Sequence, residues 1–191
     1  MSKVDQPSSA VNALEQQLWR WLDRVVIDLN LCPFAAAPRR QKAIRWVISS
    51  AQDEATVLQQ LVDEMIRLDD TPATKLETTL LAVPDVWPDF LSFNEFLGEA
   101  EACIERLDRE GVYQLASFHP HYQFAGTQPG DAENLTNCAP CAILHLLREE
   151  RLEAVLARYP APEEIPARNM VRMRGLSEED ITALFPWRFN R

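Results

Sequence analysis

SFHPHYQFAGTQPGDAENLTNCAPCAILHLLRE, residues Ser117 to Glu149, decides how the rest of the chain is read. All three histidines (His119, His121, His145) and two of the four cysteines (Cys138, Cys141) lie inside it. It reads as the end of a β-strand, a polar loop and the first turns of a long helix over about Ala139 to Tyr159. Asn137 is a good N-cap for that helix, and Pro140 suits its first turn, where a missing N–H does no harm. On this reading Cys138, Cys141, His145, Arg148 and Glu149 share one helix face, since residues advance about 100° each.

Working upstream, Val112 to Phe118 (VYQLASF) has strand composition, as do Thr78 to Val83 (TTLLAV) and Ala43 to Ser50 (AIRWVISS). Between them, apolar residues recur at helical spacing. Val57, Leu58, Leu61, Val62, Met65 and Ile66 form one stripe, with Ser50 and Asp53 as a capping arrangement. Phe93, Phe96, Leu97, Ala100, Cys103, Ile104 and Leu107 form another, with a capping box at Ser92 and Glu95 and Gly111 as its close. An N-terminal helix runs from Val11 to about Asn30, where Pro33 stops it and leaves Cys32 at the turn. Downstream, Pro160 and Pro162 break the chain before a short helix over about Ile165 to Arg174, and Ser177 with Asp180 caps a last one reaching about Phe185.

The fold expected is α/β: a small, mainly parallel three-stranded sheet with crossover helices, an N-terminal helix and a C-terminal helical extension. Residues 1 to 10 are expected to be a frayed tail and 11 to 191 a single domain, with 160 to 191 as the extension.

Composition narrows the functions. The net charge of −10 argues against the broad basic footprint of nucleic-acid or anionic-membrane binding, although Arg39, Arg40, Lys42 and Arg45 sit close together. No apolar run approaches the ~20 residues that span a bilayer, and the first residues lack a signal-peptide core, so the expected address is the cytoplasm. In that compartment four cysteines are thiols, metal ligands or redox groups rather than a disulfide framework. Five glycines, spread from Gly98 to Gly175, cannot make a dinucleotide fingerprint or a P-loop.

The chemistry-bearing residues gather at the end of the third strand, where α/β sheets place ligands. An extended backbone there turns His119 and His121 to one side, where imidazoles bind a divalent metal such as zinc or exchange protons. Cys138 and Cys141 make a C-x-x-C that, at a helix start, would be a redox pair or, with His145, three metal ligands.

Three motifs together resemble a bacterial domain-of-unknown-function family numbered 1415. They are LNLCPFA (Leu29 to Ala35), LASFHPHYQFAGT (Leu115 to Thr127) and the Asn134 to Glu149 run. The resemblance covers about Leu14 to Leu184 and implies no activity. Matching positions include Asn30, Cys32, Pro33, Phe34, His119, Pro120, Tyr122, Phe124, Asn134, Thr136, Asn137, Pro140, His145, Arg148 and Glu149. The family pattern has no cysteines where this chain has Cys138 and Cys141, which shifts weight to the histidines and Cys32.

The leading expectation is a small enzyme acting on a small anionic molecule by acid/base or metal-assisted chemistry. His119, His145 and Cys32 are its candidate catalytic groups, and Asn134, Asn137, Arg148 and Tyr122 its substrate-binding groups. His119, His121 and His145, with Cys138 and Cys141, are the candidate metal ligands. The alternatives are a metal or thiol-redox protein built on Cys138, Cys141 and His145, and a non-catalytic binding module using Phe118, Tyr122 and Phe124.

Overall fold

The structure, a computed structural model, describes residues 9–189. Most of the expected N-terminal tail therefore lies outside the described residues; Ser9 and Ala10 already belong to the first helix.

That helix, α1 (Ser9–Trp21), runs into a π-helical segment, Leu22–Ile27. Wider π turns mark sites where one extra residue is accommodated. Three residues beyond the segment, Asn30 takes the left-handed region at φ 56°, where asparagine is tolerated. The Leu31 and Cys32 N–H groups then both donate to the Val26 carbonyl, at 2.9 and 3.4 Å. The helix exit at Asn30 and Cys32 is thus as the sequence reads. The Pro/Arg stretch beyond it forms a short helix, α2 (Ala36–Gln41).

Three strands fall where expected: β1 (Ile44–Ile48), β2 (Thr78–Val83) and β3 (Tyr113–Phe118). Helix α3 (Glu54–Asp70) connects β1 to β2, and α4 (Phe90–Arg106) connects β2 to β3. Each starts on an aspartate whose carboxylate accepts a backbone N–H three residues on, Asp53 from Thr56 at 2.8 Å and Asp89 from Ser92 at 2.9 Å. The expected Ser92/Glu95 box is therefore displaced by one turn. Asp89 takes both the amide and the hydroxyl of Ser92, which leaves Ser92 inside the helix.

The large correction lies at Ala142–Arg148. This segment is a fourth strand, β4, and only Glu149–Leu156 is helical, as α5. The sheet has four strands in the order β1-β2-β4-β3. β1 and β2 pair in parallel, as their crossover helix implies, while β4 runs antiparallel to both β2 and β3. The sheet is mixed rather than mainly parallel. A central strand is covered on both faces and so reads as an unbroken apolar run, AILHLL, which periodicity alone does not separate from a buried helix.

Alternation along the strands divides the core in two. Val47, Leu81, Val83, Leu144 and Leu146 face α3 and α4, where they meet Leu61, Met65, Phe93 and Phe96. Trp46, Leu80, Ala82, Ile143 and Phe118 face α1 and the C-terminal segment, including Leu18, Trp21, Met173 and Phe185. Helices α6 (Ile165–Arg174) and α7 (Glu178–Leu184) follow the sequence reading closely. The Ser177 hydroxyl and the Asp180 carboxylate form the reciprocal capping box. Met173 and Phe185, both fully buried, tie these helices to the second core.

Candidate functional site

The two faces of the sheet separate the histidines. His145, in β4, lies on the α1 face, where it lines a cavity of about 170 Å³. Trp21, Leu22 and Val26 of the first helix, Cys32 and Phe34 of its exit, Ala116 and Phe118 of β3, and Leu152 and Val155 of α5 enclose it. The Glu77–Arg151 ion pair, 3.5 Å, forms its solvent-facing edge, where Arg151 is exposed. The Cys32 loop is held in place because Asn169 of α6 donates to the Leu31 carbonyl at 2.8 Å. Trp21 is fixed by its indole N–H, which donates to the Cys138 carbonyl at 2.9 Å.

Hydrogen bonding assigns the His145 tautomer. The Thr78 hydroxyl donates to the Leu146 carbonyl and lies 2.7 Å from His145 Nε2. A hydroxyl has one proton, so Thr78 must accept from Nε2–H. Nδ1 is then a bare acceptor, with no partner among the described residues. Burial in apolar surroundings pushes the His145 pKa down to about 4, which keeps the ring neutral near pH 7. Burial also raises the Cys32 thiol, opposed in part by the nearby backbone N–H groups of Phe34 and Ala35, the latter donating to the Cys32 carbonyl at 3.2 Å. Cys32, His145 and the Thr78 hydroxyl are thus uncharged hydrogen-bonding groups in a largely apolar wall that Glu77, Arg148 and Arg151 also line.

His119 sits elsewhere. At the end of β3 it is 1% exposed on the α3/α4 face, stacked on Phe93 with centroids 5.4 Å apart and 22° between planes. Its Nδ1 accepts the His121 N–H at 3.1 Å, and its Nε2 lies 3.5 Å from the Trp87 carbonyl. Nδ1 can accept only when unprotonated, so this ring too is neutral, and burial lowers its pKa to about 4. His119 ties the loop after β3 to the segment before α4. It does not reach the cavity of His145.

The other expected site residues are also distributed. The Arg148 guanidinium donates to the Thr71 carbonyl at 2.7 Å and to those of Leu68 and Leu76, which caps the end of α3 with a cation. Nε and Nη2 are directed at backbone, while Nη1 makes no hydrogen bond with a described residue and Arg148 also lines the cavity of His145. Asn134, 2% exposed, accepts from the Phe124 N–H and the Thr127 hydroxyl and donates to the Gln128 carbonyl, stapling the loop. Asn137 donates to the Ser117 carbonyl at 3.0 Å, holding the end of β3. Tyr122 packs on Phe90 and Phe124 at 4.6 and 4.9 Å, and Phe118 on Trp21 at 5.1 Å, so these rings are partnered within the fold.

Cys138 and Cys141 precede a strand rather than open a helix, and the expected helix-dipole effect on their thiols is absent. Burial instead pushes them up to about 11 and about 12. Among the described residues no group of three or more His, Cys, Asp or Glu side chains is placed to hold a metal ion. No helix among them is long and apolar enough to cross a membrane.

Of the expected site residues, Cys32, Phe118, His145 and Arg148 share the cavity. Sequence reading missed Thr78 and Ala116. The available signal was a hydroxyl at the start of an otherwise apolar strand, TTLLAV, and a small residue amid large ones in VYQLASF.

A family profile described as a protein of unknown function (DUF1415) matches residues 13–183, and the chain belongs to that family. No match was found among curated proteins or among solved structures.

Proposed function

Within this family of unknown function, we propose that the chain binds a small, mainly apolar molecule carrying one hydrogen-bond donor, and that Cys32 and His145 give the binding cavity its chemistry. The observation that carries this reading is the cavity of about 170 Å³, walled by aromatic and aliphatic side chains around one neutral imidazole with an unengaged Nδ1. Apolar pockets with a few convergent polar groups are the usual form of small-molecule sites. For scale, an engineered apolar cavity of about 150 Å³ in another protein takes benzene. A hydroxyl or N–H on a ring-sized ligand would complete His145 Nδ1.

The sequence suggests an anionic substrate; the largely apolar wall and the uncharged Cys32 and His145 favour a neutral one at this cavity, with Arg151 paired to Glu77 at its edge. Acid/base chemistry through His145 remains part of the reading only after a ligand is bound. Metal assistance has no support from the described residues, among which no group of three His, Cys, Asp or Glu side chains converges. A second reading is addition of the Cys32 thiol across an activated carbon–carbon double bond of a bound ligand, the S–C bond forming as the π bond opens and the thiol proton passing to the neighbouring carbon. The nearby Phe34 N–H, which favours the thiolate, supports it.

Thermal unfolding with phenol and with toluene tests the binding. Phenol should raise the midpoint more than toluene, by an amount that follows ligand concentration over Kd. Ala116→Leu, which fills the cavity, should abolish both shifts. Equal shifts in wild type and variant would show that the ligands bind somewhere else.

A further inference from the structure

The loop after β3 and the C-terminal turn, Pro186–Arg188, enclose a second hollow of about 140 Å³ that shares no residue with the cavity of His145. His121, Tyr122, Asn134, Cys138 and Arg188 line it together with two prolines, and no carboxylate does. That is against the average of a chain with 29 acidic and 19 basic residues. Arg188 is half-buried and has no ion-pair partner among the described residues. A guanidinium does not lose its proton, and withdrawing it from water without a counter-charge is unfavourable.

The position of that charge shows at Cys138. Burial pushes this thiol up to about 11, and Arg188 is the leading influence in the opposite direction. The guanidinium field therefore reaches the hollow. Its walls are fixed: the Cys138 sulfur donates to the Pro120 carbonyl at 3.0 Å, and Asn134 holds the Phe124 to Gln128 loop through three hydrogen bonds. The His121 backbone N–H is engaged by His119, whereas its imidazole makes no hydrogen bond with a described residue.

We propose that this hollow binds a small oxyanion, a carboxylate or a phosphate group, with Arg188 as its main ligand and His121 as a second donor. The planar guanidinium fork matches both groups in bidentate fashion. The site stands apart from the cavity reading, and either can fail alone.

Titration of the full chain with sodium phosphate and, separately, sodium acetate at constant ionic strength tests the proposal. The readout is NMR of the Arg188 side-chain N–H and the His121 ring. At least one anion should give saturable shifts at both groups, and the tighter of the two identifies the ligand class. Arg188→Gln should weaken that binding by about tenfold or more, the loss expected of a charge-assisted pair. Arg188→Lys, which keeps charge without the fork, should fall between. The spectrum of each variant reports its own folding. Shifts that stay linear with both anions, or saturable binding that survives Arg188→Gln, would overturn the assignment.

Discussion

Lowering the pH from 7 to 5 should destabilise this protein through two buried imidazoles. His119 and His145 each have a folded pKa near 4, against about 6.5 in an unfolded chain. The unfolded chain binds these protons first, so stability is full above about pH 6.5 and falls as pH drops towards 4. Below about 4 the histidine contribution is flat, and carboxylates take over. One pKa unit corresponds to about 1.4 kcal/mol, so each histidine should remove about 2 kcal/mol at pH 5 and the two together about 4. Against a typical total of about 5–15 kcal/mol, that is readily measured. Urea unfolding at closely spaced pH values would give the slope. His145→Gln keeps an N–H for Thr78 but does not titrate, and His119→Gln acts likewise on the other face; each should halve the loss. A wild-type stability that is constant from pH 7 to 5 would refute the claim that both rings are held neutral by the fold.

Other consequences are more local. Arg148→Met should destabilise by about 2–4 kcal/mol in urea unfolding, because the carbonyls of Leu68, Thr71 and Leu76 lose a charged donor. Leu144→Ala, at a fully buried position of the central strand, should cost about 2–5 kcal/mol. In hydrogen exchange, the paired amides of Ala142–Arg148 should be among the slowest, as a central strand requires and a surface helix does not. Of the four thiols, Cys32 should be alkylated before the buried Cys103, Cys138 and Cys141, and a cavity ligand should slow it; mass spectrometry after timed labelling reads the order.

Much of the fold was legible because local signals agreed with the tertiary outcome. TTLLAV matched β2 residue for residue, and the Ser177/Asp180 box starts α7. Asn30 and Pro33 marked the helix exit that brings Cys32 to the cavity. What failed was AILHLLR. Its strand character comes from being covered by β2 and β3 and by a core on each face, and none of those neighbours is local in sequence. The following EERLEAVL is helical, so the run read as one continuous helix. That single misassignment carried the site with it. It put His145 on a helix with Cys138 and Cys141, when strand alternation sends His145 and His119 to opposite faces. It also hid that Arg148, some seventy residues downstream of α3, caps the end of that helix.

The ¹⁵N chemical shifts of the imidazole rings, followed while phenol is added, test the central claim most directly. A ligand hydroxyl donating to the open nitrogen should move His145 Nδ1 saturably and leave the His119 ring in place. A His145 ring that does not respond, or one that moves no more than His119, would mean that the cavity beside β4 is not where this protein meets its ligand.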